Sequence, residues 1–160
     1  MQFVAATRQL IRAPIEVVWS VMIDLRAYRE WNPFIVDIAA AGDARVGQSM
    51  ALTVRFKNGR TVTSPEEISM LDAPAKGADG VARAKLEYVF RGPLDRFNLV
   101  RGKRAQTLES DGDERTIYRT EERFGGLLAL AVPLAEVQDG FERHATALAE
   151  RAESLHHPAR

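Results

Sequence analysis

The chain has 160 residues, no cysteine, and 22 basic residues balanced by 22 acidic ones. The length suits one domain with a real hydrophobic core, and the even balance gives no overall pull towards nucleic acid or an anionic membrane. The lack of cysteine excludes disulfides, thiolate metal sites and thiol nucleophiles, and fits a reducing compartment.

The N-terminus, MQFVAATRQLIRAP, lacks the basic start and continuous apolar run of a secretory signal, and no apolar stretch approaches the roughly 20 residues of a spanning helix. The expectation is a cytoplasmic protein without stable membrane insertion. Phe3 to Arg12 reads as a strand ended by Ala13-Pro14. Pro14 suits the first turn of a helix, whose apolar face is Val17, Val18, Val21, Met22 and Leu25. The chain then turns at Asn32-Pro33, because a residue before proline is pushed out of helical geometry.

From Ile35 to Phe124 the signals are those of strands and turns. Met50, Leu52, Val54 and Phe56 alternate with Ala51, Thr53 and Arg55, and Asn58-Gly59 marks a hairpin. Leu86, Tyr88 and Phe90 alternate in the same way with Lys85, Glu87 and Val89. DAPAKGADG, residues 72–80, reads as a long loop. Leu99 to Glu109 and Arg115 to Phe124 read as a second hairpin across SDGDE.

After Gly125-Gly126 a helix is expected from about Leu127 to about Leu155, with Pro133 near its start and Gly140 inside it; roughly 28 residues at about 1.5 Å each span some 40 Å. Its apolar stripe is Phe141, His144, Ala145, Leu148, Ala152 and Leu155. The order of elements predicts an α+β chain, an antiparallel sheet with helices on one side. A twisted sheet curling round one helix leaves unfilled space between them.

IRAPIEVVWSVMIDLRAYREWNPF, EYVFRGPL, RTIYRTEERFGGLL and GFERHATALAERAE occur in this order. Together they resemble the START-related superfamily, also called SRPBCC or polyketide cyclase/dehydrase-like, over essentially the whole chain. The resemblance implies the helix-grip fold: a seven-stranded antiparallel sheet wrapped around a long C-terminal helix, two short helices after the first strand, and a cavity between. That superfamily spans lipid carriers, receptors, cyclases and other binding proteins, so it specifies fold more closely than activity. One departure concerns the sixth strand, where bacterial members often read Gly-x-His-x-Phe-x-Leu. Here Gly102, Arg104, Gln106 and Leu108 hold those positions, which makes the implied pocket more polar and suited to a carboxylate or carbonyl.

His144 on an apolar face is either a packed residue with a satisfied hydrogen bond or a base that meets a ligand. Arg104 either points outward within RGKR or inward, where it needs an acidic partner or an anionic ligand. Tyr118, Thr120, Glu122 and Phe124 are assigned inward, with Glu122 as the natural partner of Arg104. Tyr88, Gln106, Phe141, Leu148, Leu52 and Val54 complete the expected ligand-binding set. Trp19 and Trp31 are assigned mainly to packing, with a place near the cavity mouth as the alternative for Trp31. His156 and His157 lie in a frayed tail and no histidine metal cluster is expected. No phosphate loop, dinucleotide fingerprint or serine elbow occurs, and no cofactor is implied.

These features give three expectations: a module that binds a small hydrophobic molecule (lipid, polyketide or aromatic metabolite), a cyclase or dehydratase using the same cavity with His144 as its candidate catalytic group, and a co-chaperone-like interaction domain with a filled interior.

Overall fold

The computed structural model describes residues 3–97 and 99–157; the last three residues of the predicted tail, 158–160, lie outside them. Strand β1 (Phe3–Ile11) leads into helix α1 (Ile15–Ile23) and the one-turn helix α2 (Tyr28–Trp31). Four consecutive strands follow, β2 (Ile35–Ala40), β3 (Ser49–Arg55), β4 (Thr61–Lys76) and β5 (Ala82–Phe90), then the short helix α3 (Pro93–Arg96). Strands β6 (Arg101–Ser110) and β7 (Thr116–Gly125) precede the long helix α4 (Leu134–His156).

All seven strands form one antiparallel sheet in the order β1-β7-β6-β5-β4-β3-β2. Every neighbour except the β1–β7 pair is adjacent in sequence, so hairpins build most of the sheet and β1 closes one edge from the far end of the chain. Helix α4 packs along this sheet against β1 and α1, which is the helix-grip arrangement.

Four sequence expectations are corrected. The long helix begins at Leu134, after Pro133, because residues 127–133 form a loop with one tight turn at Ala129–Ala131. Pro133 lacks an N–H and therefore stands at the helix entrance, which shortens the rod to 23 residues, or about 35 Å. Residues 72–76 belong to β4, so the predicted long loop reduces to a tight turn at 77–80 with Gly80 at positive φ. The apolar stripe stops at Ala152; Leu155 is exposed, and the helix continues through His156 instead of fraying before it.

The buried residues of α4 are Val137, Gly140, Phe141, His144, Ala145, Ala147, Leu148, Ala149 and Ala152. Small residues predominate on this face, which lets the helix approach its neighbours closely. At Gly140 the approach is closest: a Cβ placed there would lie 2.3 Å from Phe34 Cε2 and 2.4 Å from Cδ2. The Phe34 ring therefore sits directly on the helix backbone, edge-on to Phe141 at 6.0 Å.

Candidate functional site

The grip is solid along one half of α4 and hollow along the other. In the solid half, His144, Leu148 and Ala152 are buried against α1, α2 and the sheet. In the hollow half, the sheet stands away from the first turns of α4 and leaves a partly open cavity of about 250 Å³. Its wall is mostly apolar: Phe34, Leu52, Val54, Phe90, Val137 and Phe141 contribute to it. A dry cavity of about 150 Å³ holds a benzene ring, so this space takes a molecule of roughly ten non-hydrogen atoms or more.

The polar part of the wall comes from three neighbouring strands. Arg104 on β6 is paired in register with Glu122 on β7 and Tyr88 on β5, so all three side chains leave the same face of the sheet. Arg104 is only 2% exposed. Its Nε donates to Thr120 Oγ1 at 2.9 Å and its Nη1 to Tyr88 Oη at 2.9 Å, while its Cζ lies 4.1 Å from the centroid of the Phe141 ring. Nη2 has no hydrogen-bond partner among the described residues. Both hydrogen-bonded partners are neutral hydroxyls, so the direct contacts of this buried cation bring no compensating charge.

Glu66 on β4 faces the same space, its Oε1 accepting a 2.6 Å hydrogen bond from Ser64. Burial pushes its carboxyl up to about 8, against the smaller downward pull of the Ser64 hydroxyl. Glu122 is half-buried and lines the cavity; burial pushes it up to about 7 although Arg104 acts in the opposite direction. Burial likewise raises Tyr88, which stays a neutral phenol. The cavity thus carries one fixed positive charge and two carboxyls that change protonation near neutrality.

His144 is built for a different task. Asn32 Oδ1 accepts the backbone N–H groups of Phe34 and Ile35, each at 2.9 Å, which fixes the amide orientation. Its Nδ2 then donates to His144 Nδ1 at 2.8 Å, so the imidazole carries its proton on Nε2. Desolvation, with a smaller contribution from Arg104, holds the ring well below the ordinary histidine range and therefore neutral. The ring stacks on Tyr118 at 6.0 Å and meets Trp31 edge-on at 5.6 Å. His144 thereby ties α4 to the turn after α2, one turn beyond the end of the cavity.

Of the residues singled out from sequence, Leu52, Val54, Tyr88, Arg104, Glu122 and Phe141 line the cavity together. Gln106, Tyr118, His144 and Leu148 do not reach its wall. Tyr118 Oη donates to Gln106 Oε1 at 2.8 Å, and both side chains are fully buried. Sequence reasoning missed Glu66, whose signal was its alternation with Ser64 and the fully buried Ile68; Pro65 between them obscured the strand. It also set aside the tail histidines, yet ligand atoms of Glu114, His156 and His157 lie within 4.8 Å of one another on the surface.

Beside the cavity two segments expose large apolar side chains. Leu94 and Phe97 belong to one, Leu127, Leu128 and Leu130 to the other, and Leu128 N–H donates to Leu99 C=O at 2.7 Å between them. Val100, Val132 and Pro133 of the same segments form part of the cavity wall. Among the described residues no helix is long and apolar enough to cross a membrane.

No protein-family model matches the chain, and no curated protein matches it in sequence. Solved structures do match in shape. A START superfamily protein from Mycobacterium smegmatis superposes with a TM-score of 0.68 at 16% identity, covering 95% of this chain and 98% of that one. The ZhuI aromatase/cyclase from Streptomyces sp. R1128 gives 0.68 at 15% identity over 96% and 95%. Norcoclaurine synthase from Thalictrum flavum, as a point mutant with a transition-state analogue, gives 0.67 at 13% identity over 97% and 96%. This chain shares the helix-grip fold with these START and SRPBCC proteins.

Proposed function

We propose that the protein binds a small, largely apolar molecule in the cavity between the sheet and the first turns of α4, with the polar end of that molecule at Arg104. The observation that carries this reading is the composition of the wall: apolar side chains surround a space of about 250 Å³, and a buried guanidinium with one unpartnered nitrogen faces it. Orientation by a few polar groups inside an apolar enclosure is how small-molecule sites achieve specificity. Two of the proteins that share this architecture, the ZhuI aromatase/cyclase and norcoclaurine synthase, are named for chemistry on small molecules, which supports the reading.

The test is a thermal-shift screen with fatty acids, flavonoids and aromatic polyketides. A ligand present at about 100 times its Kd adds about 2.7 kcal/mol of stability, a shift of several degrees. A Val54→Trp variant, which fills the cavity from β3, should lose the shift while remaining folded. The reading falls if no compound in the screen stabilises the wild-type protein.

Catalysis is a second reading, favoured by one observation: the carboxyls of Glu66 and Glu122 both line the cavity, where burial pushes them up to about 8 and about 7, so that either can hold or release a proton at working pH. On this reading the proton-moving groups are the two glutamates, because the Nδ1 of His144 is engaged by Asn32 and the ring lies off the cavity wall. Glu122→Gln and Glu66→Gln variants that still bind a reactive substrate but turn it over 10²-fold more slowly or worse would support it.

A further inference from the structure

Two properties of Arg104 constrain what can occupy the space beside it. The side chain is almost wholly removed from water, and its hydrogen bonds go to two neutral hydroxyls, leaving Nη2 without a partner among the described residues. A buried cation in this condition calls for an anion, and a planar guanidinium matches a carboxylate best. The two carboxylates already in the wall cannot serve without conflict if a ligand anion is added. With Glu66 and Glu122 both ionised the cluster carries one net negative charge and a ligand carboxylate raises this to two. With both protonated the cluster carries one positive charge, and the same ligand makes it neutral. The carboxylic O–H groups then become donors to the ligand oxygens instead of competitors for Arg104.

We propose that the cavity selects a hydrophobic monocarboxylate, bound as the anion against Arg104 and Tyr88, and that Glu122 and Glu66 take up protons from solvent as it enters. The inference rests on the binding reading above and adds the ligand's chemical class and its coupling to pH. Proton uptake is balanced: the ligand enters with its charge, solvent supplies the protons, and no bond other than the two carboxyl O–H bonds forms.

The groups that face this cluster are few. Arg104 and Tyr88 lie beside the carboxyls on β6 and β5, Tyr118 lies below on β7, and Tyr28 and His144 approach from α2 and α4. The three tyrosines are raised above their ordinary range by burial and His144 is lowered, so all four stay neutral between pH 6 and pH 9. The glutamates are left as the titrating groups of the cluster, at about 8 for Glu66 and about 7 for Glu122. A simple fatty or aryl acid is already ionised throughout this interval. Its affinity therefore falls as pH rises, by about tenfold or more between pH 6 and pH 8.

The experiment is calorimetric titration with two matched pairs, 2-naphthoate with 2-naphthalenemethanol and octanoate with octanol. Each is run at pH 6, 7 and 8, in two buffers of different ionisation enthalpy. At least one carboxylate should bind more than tenfold tighter than its alcohol at pH 6, weaken about tenfold by pH 8, and show net proton uptake at pH 7 to 8. Glu122→Gln keeps a donor in place and removes one titration, so it should flatten the pH dependence and tighten carboxylate binding at pH 8. Alcohols that bind as tightly as the acids, with no proton uptake, would overturn the inference and leave the binding reading intact. Failure of both members of both pairs would overturn the inference, and the broader thermal-shift screen then decides the binding reading separately. The wild-type proton count holds even if the Glu122→Gln chain folds poorly.

Discussion

Replacing Gly140 by alanine offers a sign test of the packing argument. In an ordinary helix interior the change stabilises by about 1 kcal/mol, because glycine has the larger conformational entropy to lose. Here the new methyl would lie 2.3, 2.4 and 2.7 Å from three carbons of the Phe34 ring, against the 3.5 to 4.0 Å of a normal carbon contact. The ring must move by more than about 1 Å, and its options are limited. Its own backbone N–H is held by Asn32 Oδ1, and the rings of Phe56 and Phe141 stand 6.2 and 6.0 Å away. The open direction is the cavity, whose wall Phe34 forms. Overpacking costs about 1–3 kcal/mol, which cancels or exceeds the helix-propensity gain and leaves a net loss of up to about 2 kcal/mol. Urea denaturation should show a lower midpoint with unchanged slope, and the melting temperature should fall by up to about 8 °C. Ligand affinity should fall as well, since the displaced ring consumes cavity volume. A Phe34→Leu background should relieve the clash, giving a favourable coupling in the double-mutant cycle. A Gly140→Ala variant more stable than wild type would refute the close approach.

Other consequences can be measured in the same way. Asn32→Ala leaves two backbone N–H groups and the His144 ring without their buried partner, so it should cost about 3 kcal/mol or more by chemical denaturation; a loss under about 1 kcal/mol would show that the amide is dispensable. Arg104→Met removes a buried cation whose contacts are neutral, and should leave stability unchanged or improved while abolishing any preference for acids over alcohols. Glu66 holds its proton to about pH 8 when folded but releases it near its ordinary value when unfolded. Stability should therefore fall as pH rises from about 5 to about 8, by up to about 1.4 kcal/mol per unit, and Glu66→Gln should flatten that limb. His144 has the opposite sign: below its ordinary value near 6.5 the unfolded chain takes a proton that the folded ring refuses, so stability falls on acidification, and His144→Gln should reduce that loss.

The sheet and the long helix were legible because their signals are local. Period-two alternation in β3, β5 and β7 and the three-four spacing from Phe141 to Ala152 each needed only a short window of sequence. β4 was less legible, since Pro65 interrupts its alternation, and a proline in a run ordinarily argues against an interior strand. Here it is tolerated opposite Ala51, and its carbonyl still accepts from Arg91 N–H. The candidate site was legible only by face. Alternation assigned Tyr118 and Glu122 to the inner side of the sheet and left Arg104 open between its two faces, and depth along the strand decides which inward side chains reach the cavity. Depth depends on where α4 begins to stand off from the sheet, a relation among distant segments. For the same reason His144 could be read as a ligand contact until its Nδ1 was seen to meet Asn32, 112 positions away in the chain.

Because the hollow lies under one end of the rod and the dense packing under the other, the two ends are exposed to different demands. Wall residues that are not fully buried, such as the half-buried Val54 and the exposed Val62, can be exchanged for larger or smaller ones to suit a new guest, while the Asn32–His144 clamp continues to hold the rod in place. A scaffold arranged in this way lets selectivity drift at little cost to foldability, and directed evolution of this protein is best confined to the rim of the cavity.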